Sequence, residues 1–340
     1  MTENVELDGH INDKMGRDDS KNAYKYDESK QMSPVCCRRN RSEKERKRNM
    51  RHKIENEQIR CEIDSHGAEL KSLVRKNDGR EIMWNADPTY WNRTSPVLFP
   101  FVGGVRNKTY RHEGKEYAMS QHGFARDMEF ALDSEEKDEI WFVLSDSEES
   151  LAKYPFRFSL RIGYRLEKTS IKVMWEVENT NEGRMWFSIG AHPGFAVKEL
   201  LGHAFYLYDK ADKPVSEIGI RIFGTGGCVT DRIEKISVSE GKIDITEELF
   251  DNDALVLENS QIDRVELKDG DNELIVAVSF DAPIVGLWSP PHRNAPFVCI
   301  EPWYGRCDSE SFEGELKDRD YEQNLKAGET FRAEYVISVR

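Results

Sequence analysis

From about residue 54 onward, apolar side chains return at every second position. In 156–167, FRFSLRIGYRLE, Phe156, Phe158, Leu160, Ile162, Tyr164 and Leu166 share one face, while polar residues and Gly163 fill the other. That period of two predicts a half-buried strand. The segment 170–179 repeats it with Ile171, Val173, Trp175 and Val177, and EKTS between the two predicts a hairpin. Segments 273–280 and 331–339 alternate as well. EIWFVLSD, 139–146, is a more continuous apolar run and predicts a strand covered on both sides.

The connections agree with this reading. KNDGR (76–80), RHEGKEY (111–117) and KDGDNE (268–273) set glycine among Asn, Asp or Glu between strand-like runs. Helical signals are short: a capping-box pattern in 146–154 and one or two turns in 244–250. So many strands, mostly hairpin-linked, predict an all-β chain, a large antiparallel β-sandwich with a few short helices. Neither GxGxxG nor GxxxxGK[ST] occurs, and strands do not alternate with helices, which argues against a nucleotide-binding α/β enzyme.

Composition changes this picture at one end. Of the 340 residues, 38% are hydrophobic and 33% charged. The first fifty or so residues carry almost no large aliphatic side chains and cannot offset the entropy of ordering. Residues 1–53 therefore read as a disordered extension, and 54–340 as a single domain. The basic run 38–53 reads as a solvated tail, an upstream extension of the frame ahead of Met50, or an arm for nucleic acid or an anionic membrane. The whole chain carries a net charge of −14, so the remainder is more acidic still, which argues against nucleic acid as the main partner. No apolar stretch approaches the ~20 residues of a membrane span, and no secretory h-region is visible. Cysteines 36, 37, 61, 228, 299 and 307 have no CxxC spacing and read as reduced thiols of a cytoplasmic protein.

Three polar positions stand within apolar strand sequence. They are His122 in QHGFAR, His192 in FSIGAHPGFAV and Glu301 in FVCIEPWYG. Each alone has a structural reading: a core histidine on a backbone carbonyl, or a carboxylate in a salt bridge. Together, two imidazoles and a carboxylate at glycine- or proline-marked strand ends can converge in one cleft. A two-His-one-carboxylate metal site fits, as does acid–base catalysis without metal. The absence of HxxxH or HxH spacing disfavours the metal. Trp303, Tyr304, Trp288 and Phe195 adjoin these motifs and read either as a flat floor for a pyranose ring or as sandwich core.

SPVLFPFVGG, QHGFARDMEF, GAHPGF, GLWSPP, CIEPWYG and NLKAGETF, in this order, resemble the aldose 1-epimerase (galactose mutarotase-like) family, in particular its LacX-type branch. The resemblance runs from about Ile54 to the C-terminus. It implies a β-supersandwich with a sugar on its open face and interconversion of aldohexose anomers without a cofactor. It assigns Glu301 as catalytic base, His192 as catalytic acid and His122 as the second active-site histidine. It makes Arg126 a substrate-side cation and places a sugar-holding aspartate at Asp253 or Asp251. Many relatives carry a sugar-contacting arginine where this chain has Gly104. Arg106, two steps along, would keep the same strand face. A sugar is thus the expected partner, on a monomer or homodimer. The alternatives are a hexose-6-phosphate 1-epimerase, with Arg126, Arg106 or Arg93 on the phosphate, and a carbohydrate-binding module without turnover.

Overall fold

The structure, a computed structural model, describes residues 50–340. Two large antiparallel sheets dominate it. The nine-stranded sheet runs, neighbour to neighbour, Lys242–Asp244, Ala204–Tyr208, Arg264–Lys268, Leu274–Phe280, Thr330–Ser338, Ser170–Asn179, Phe158–Glu167, Glu139–Ser145 and Ala131–Glu135. The eight-stranded sheet runs Val229–Ser237, Glu217–Phe223, Leu255–Leu257, Ile284–Trp288, Phe297–Tyr304, Ile189–Ala191 and Val97–Leu98, with Gly194–Ala196 also paired to Phe297–Tyr304. A four-stranded sheet and two hairpin-sized ones complete the chain.

Alternation decides what each face does. Ile162, Trp175 and Ile337 of the larger sheet share one buried cluster with Val298, Ile300, Val285, Leu287, Leu255 and Leu257 of the other. The residues between these point to the opposite face of the eight-stranded sheet. There Phe297 and Cys299 join Trp84, and Trp303 joins Val256 and Ile284, in two smaller clusters. The strand Phe297–Tyr304 thus presents Val298 and Ile300 to the core, and Cys299, Glu301 and Trp303 to the other side.

The predicted hairpin forms with Leu160 opposite Val177 and Ile162 opposite Trp175. Ser147 caps the helix Glu148–Lys153 in a reciprocal box with Ser150, as the sequence pattern predicts. Three expectations change. First, Glu139–Ser145 is buried on one face only: Ile140, Phe142 and Leu144 point inward. Its other apolar positions are half-exposed, and Trp141 lies across Gly163 beneath the Arg161 guanidinium, 4.6 Å from the ring centre. A glycine opposite and a cation above substitute for a second layer. Second, 244–250 ends a strand at Asp244 and continues into turns, with no helix. Third, the folded unit starts before residue 54. The strand Arg51–Glu55 pairs with Ile59–Asp64, and backbone bonding orders Arg51, His52 and Lys53 despite their polar side chains. The expectation for 1–49 lies outside the described residues. Among the described residues, no helix is long and apolar enough to cross a membrane.

Candidate functional site

A cavity of about 630 Å³ opens on the face of the eight-stranded sheet that turns away from the core. Its lining includes His122, His192, Glu301, Arg126, Asp253 and Trp303. Residues more than 170 positions apart in sequence meet there, and three short strands, Ile284–Trp288, Ile189–Ala191 and Gly194–Ala196, pair with the central one, Phe297–Tyr304.

Glu301 sits at the middle of that strand and is 1% exposed. Its ladder partner is Gly286, over which the Trp303 indole lies, so that a Cβ there would come within 2.6 Å of the ring. On the other side Ile189 and Gly190 pair with Tyr304 and Trp303, and Gly194 pairs with Cys299. Between these two pairings the backbone departs at His192 and Pro193. That break aims the His192 ring at Glu301, with Nε2 3.3 Å from Oε2. Trp91 stacks on the imidazole, with centroids 4.7 Å apart, and Trp288 meets it edge-on at 5.5 Å.

His122 arrives from the other flank. It and Gly123 both take left-handed φ values, 67° and 70°. The His122 N–H donates to the Gly103 carbonyl at 2.8 Å. In return the Gly103 N–H donates to His122 Nδ1 at 3.1 Å. Nδ1 is therefore an acceptor, and in the neutral ring the proton belongs on Nε2. The His122 and His192 rings meet edge to face, with centroids 5.6 Å apart.

Burial sets the charge states. It lowers His122 well below an ordinary histidine, with the neighbouring His192 next in effect. His192 falls to about 3, first from burial and then from the Arg126 charge. Glu301 rises well above the usual carboxylate range, from burial and then from the Asp253 carboxylate. The two shifts favour a proton on the carboxyl over one on the imidazole. Ionised glutamate with protonated histidine differs from this only by moving that proton across the 3.3 Å contact.

The remaining expected residues divide. Asp253 lines the cavity with a left-handed φ of 73°, and its Oδ1 accepts from the Ala254 N–H at 2.8 Å. Asp251 also lines it but lies 3.3 Å from the exposed His292 ring. Arg126 lines it from the turn Ala125–Asp127 and donates through Nη2 to the Gln121 carbonyl at 2.7 Å. Burial and then the nearby Arg93 lower its guanidinium to about 10. Trp303 is pinned beneath the cavity by Nε1–H donation to the Ala191 carbonyl at 3.2 Å.

Arg106 lies elsewhere. The strand before it stops at Leu98 and the chain turns at the left-handed Gly103, so strand arithmetic does not apply. Arg106 begins a tight turn whose next residue, Asn107, is left-handed at φ 57°. Its Nη1 donates to the Phe312 carbonyl at 3.0 Å and lies 3.5 Å from Glu313. Gly104 lines the cavity, and a Cβ there would approach the Gly227 carbonyl at 3.4 Å, leaving this wall bare backbone. Arg93 pairs with Asp127 at 2.7 Å. Trp288 lines the cavity, whereas Phe195 belongs to the main core and Tyr304 packs against it. Trp91, Gln121 and Asn252 also line the cavity, unanticipated from the sequence. They occupy loops, where no period marks which side chains point inward.

A family model described as aldose 1-epimerase matches residues 50–338. Protein LacX (chromosomal) of Lactococcus lactis subsp. lactis is 30% identical over 296 residues, 84% of this chain and 98% of that protein. The crystal structure of a galactose mutarotase related enzyme from Lactobacillus acidophilus superposes with a TM-score of 0.80 at 33% identity, over 86% of this chain and 97% of that one. A galactose mutarotase-like protein from Lactobacillus casei gives a TM-score of 0.80 at 29% identity, over 86% and 100% of the respective chains.

Proposed function

Since the chain belongs to the aldose 1-epimerase family, we propose that it interconverts the α and β anomers of an aldohexose by acid–base catalysis. The observation that carries this reading is the 3.3 Å approach of His192 Nε2 to the buried Glu301 carboxyl on the cavity wall. A carboxyl and an imidazole sharing one proton are what ring opening needs. One group must take a proton from the anomeric hydroxyl while another gives one to the ring oxygen.

The sugar's anomeric hydroxyl donates a hydrogen bond to Glu301 and replaces solvation that burial removed. This favours the ionised carboxylate, and the shared proton passes to His192. Glu301 then removes the hydroxyl proton, the C1=O double bond forms, and the C1–O5 bond breaks. O5 leaves with the proton from His192. Rotation about C1–C2 presents the other carbonyl face, and the same steps reversed close the ring. His122, with Nε2–H directed as a neutral donor, hydrogen-bonds to the ring oxygen or an adjacent hydroxyl. Asp253 accepts from sugar hydroxyls, Arg126 donates to them, and Trp303 underlies the ring. No redox step occurs and no cofactor is called for.

Exchange between anomers of glucose and galactose, read by NMR magnetisation transfer, tests this. Glu301→Gln and His192→Gln are each expected to slow exchange by ~10²–10⁴-fold. Full rates in either variant reject the roles given. One observation favours a phosphorylated hexose: Arg126 Nε is buried without a hydrogen bond, its nearest carboxylate oxygen being Asp127 Oδ2 at 3.9 Å. Comparing glucose with glucose 6-phosphate decides between them. Binding of sugar without any faster exchange would identify a binding module instead.

A further inference from the structure

The reaction above makes no use of the thiol that stands beside Glu301. Cys299 stands two residues before Glu301 on the same strand face, fully buried, and its ladder partner is Trp288. Ligand atoms of His192, Cys299 and Glu301 all lie within 4.8 Å of one another. Three donors around a tetrahedral zinc ion stand about 3.3–3.6 Å apart. The His192–Glu301 edge of this triangle already measures 3.3 Å. The other two edges are no longer than 4.8 Å.

A second observation points into the same place. Glu301 Oε2 is buried with no hydrogen-bond partner beyond the 3.3 Å approach of His192 Nε2. An unsatisfied buried carboxylate oxygen is costly, and a cation would satisfy it. The donor set is sulfur, nitrogen and oxygen. That set suits zinc-like ions and not magnesium or calcium, which require mainly oxygen. Histidine spacing along the chain gives no hint of it, since the ligands come from a strand break and a neighbouring strand.

We propose that His192, Cys299 and Glu301 bind a thiophilic divalent cation of the zinc type, and that its binding blocks the acid–base pair. The cation displaces the Cys299 thiol proton and the proton shared by Glu301 and His192, both released to solvent. His192 binds through the lone pair of Nε2, Glu301 through Oε2 and Cys299 through Sγ. His192 and Glu301 line the cavity, and Cys299 lies buried beside them. With its lone pairs committed, the pair can neither take nor give a proton. Binding stands on the geometry alone; inhibition rests on the proposed epimerase reading.

Cobalt(II) is the probe, since a cobalt–thiolate bond absorbs in the near ultraviolet. The full chain is used with Cys36→Ser and Cys37→Ser, so that these two thiols contribute nothing. One equivalent of cobalt is expected to produce the thiolate band, zinc to erase it, and magnesium to leave it intact. Cys299→Ser should abolish the band while Cys307→Ala keeps it. Should Cys299→Ser fail to fold, Glu301→Gln serves instead, weakening cobalt binding by at least about 10-fold. No band in folded protein, or a band that persists in folded Cys299→Ser, overturns the site. Saturating zinc should slow anomer exchange at least tenfold in the parent, and the ratio of rates with and without zinc should approach one in Cys299→Ser. An unchanged parent rate at saturating zinc overturns the inhibition. A chain without any exchange activity fails the epimerase reading, while the cobalt band still tests the metal site.

Discussion

At the scale of residues, burial governs what the two histidines can do. Both are held neutral, so folding must exclude protons that the unfolded chain would take up below an ordinary histidine value of 6.5. Their contribution to stability is present above that value and is lost as pH falls toward about 3, where His192 titrates in the folded protein. Glu301 acts oppositely, because its raised value favours the folded state at low pH. Denaturant unfolding at pH 7 and pH 5 should therefore show a smaller acid loss in His192→Gln than in the parent; an equal or larger loss would mean that His192 is not held neutral. For turnover, burial moves both members of the pair away from an ordinary histidine value, Glu301 upward and His192 to about 3. The pH profile of kcat/KM should show no inflection near 6.5, and one there would reveal an ordinary histidine. His122→Ala removes the Nε2–H donor and should cost ~10²-fold in exchange rate. His192 and Glu301 were legible in the sequence because each interrupts apolar strand text, whereas His122 stands on a left-handed turn and only the QHGFAR motif marks it. Arg106 does not share a strand face with Gly104 because the strand stops at Leu98 and the chain turns at the left-handed Gly103 before it.

At the scale of elements, one close approach fixes the His122 loop. The Phe124 and Ala125 N–H groups both donate to the Phe99 carbonyl, at 3.0 and 3.1 Å, drawing the loop onto 97–101. A Cβ on Gly123 would lie 2.2 Å from that same oxygen, at a φ of 70°. Gly123→Ala should destabilise the protein by about 3 kcal/mol or more, by overpacking added to strain. Gly114→Ala is the control, since its φ is 74° but no atom lies within 4 Å of the added carbon. It should cost only about 1–2 kcal/mol, and equal losses in denaturant unfolding would refute the close-approach account. Strand alternation could be read because each face has one environment. The break at His192–Pro193 could be located from the proline and glycine. Its partner could not, because ladder neighbours such as Gly190 and Trp303 lie more than a hundred residues apart.

At the scale of the whole molecule, a continuous core between two sheets holds a strand whose opposite face carries chemistry. All the cavity-lining residues lie between Trp91 and Cys307. Deleting 1–49 should therefore leave anomer exchange unchanged; a large loss would assign those residues a part in catalysis. Fold class was legible from period and turns, and sheet order was not, since it depends on contacts that no local pattern records. The central claim is that Glu301 and His192 act as one proton-sharing unit. The most direct measurement is a double-mutant cycle on NMR exchange rates, with Glu301→Gln, His192→Gln and both together. A shared-proton unit predicts that the double variant is about as slow as the slower single variant. Losses that multiply would show two independent contributors and contradict the account.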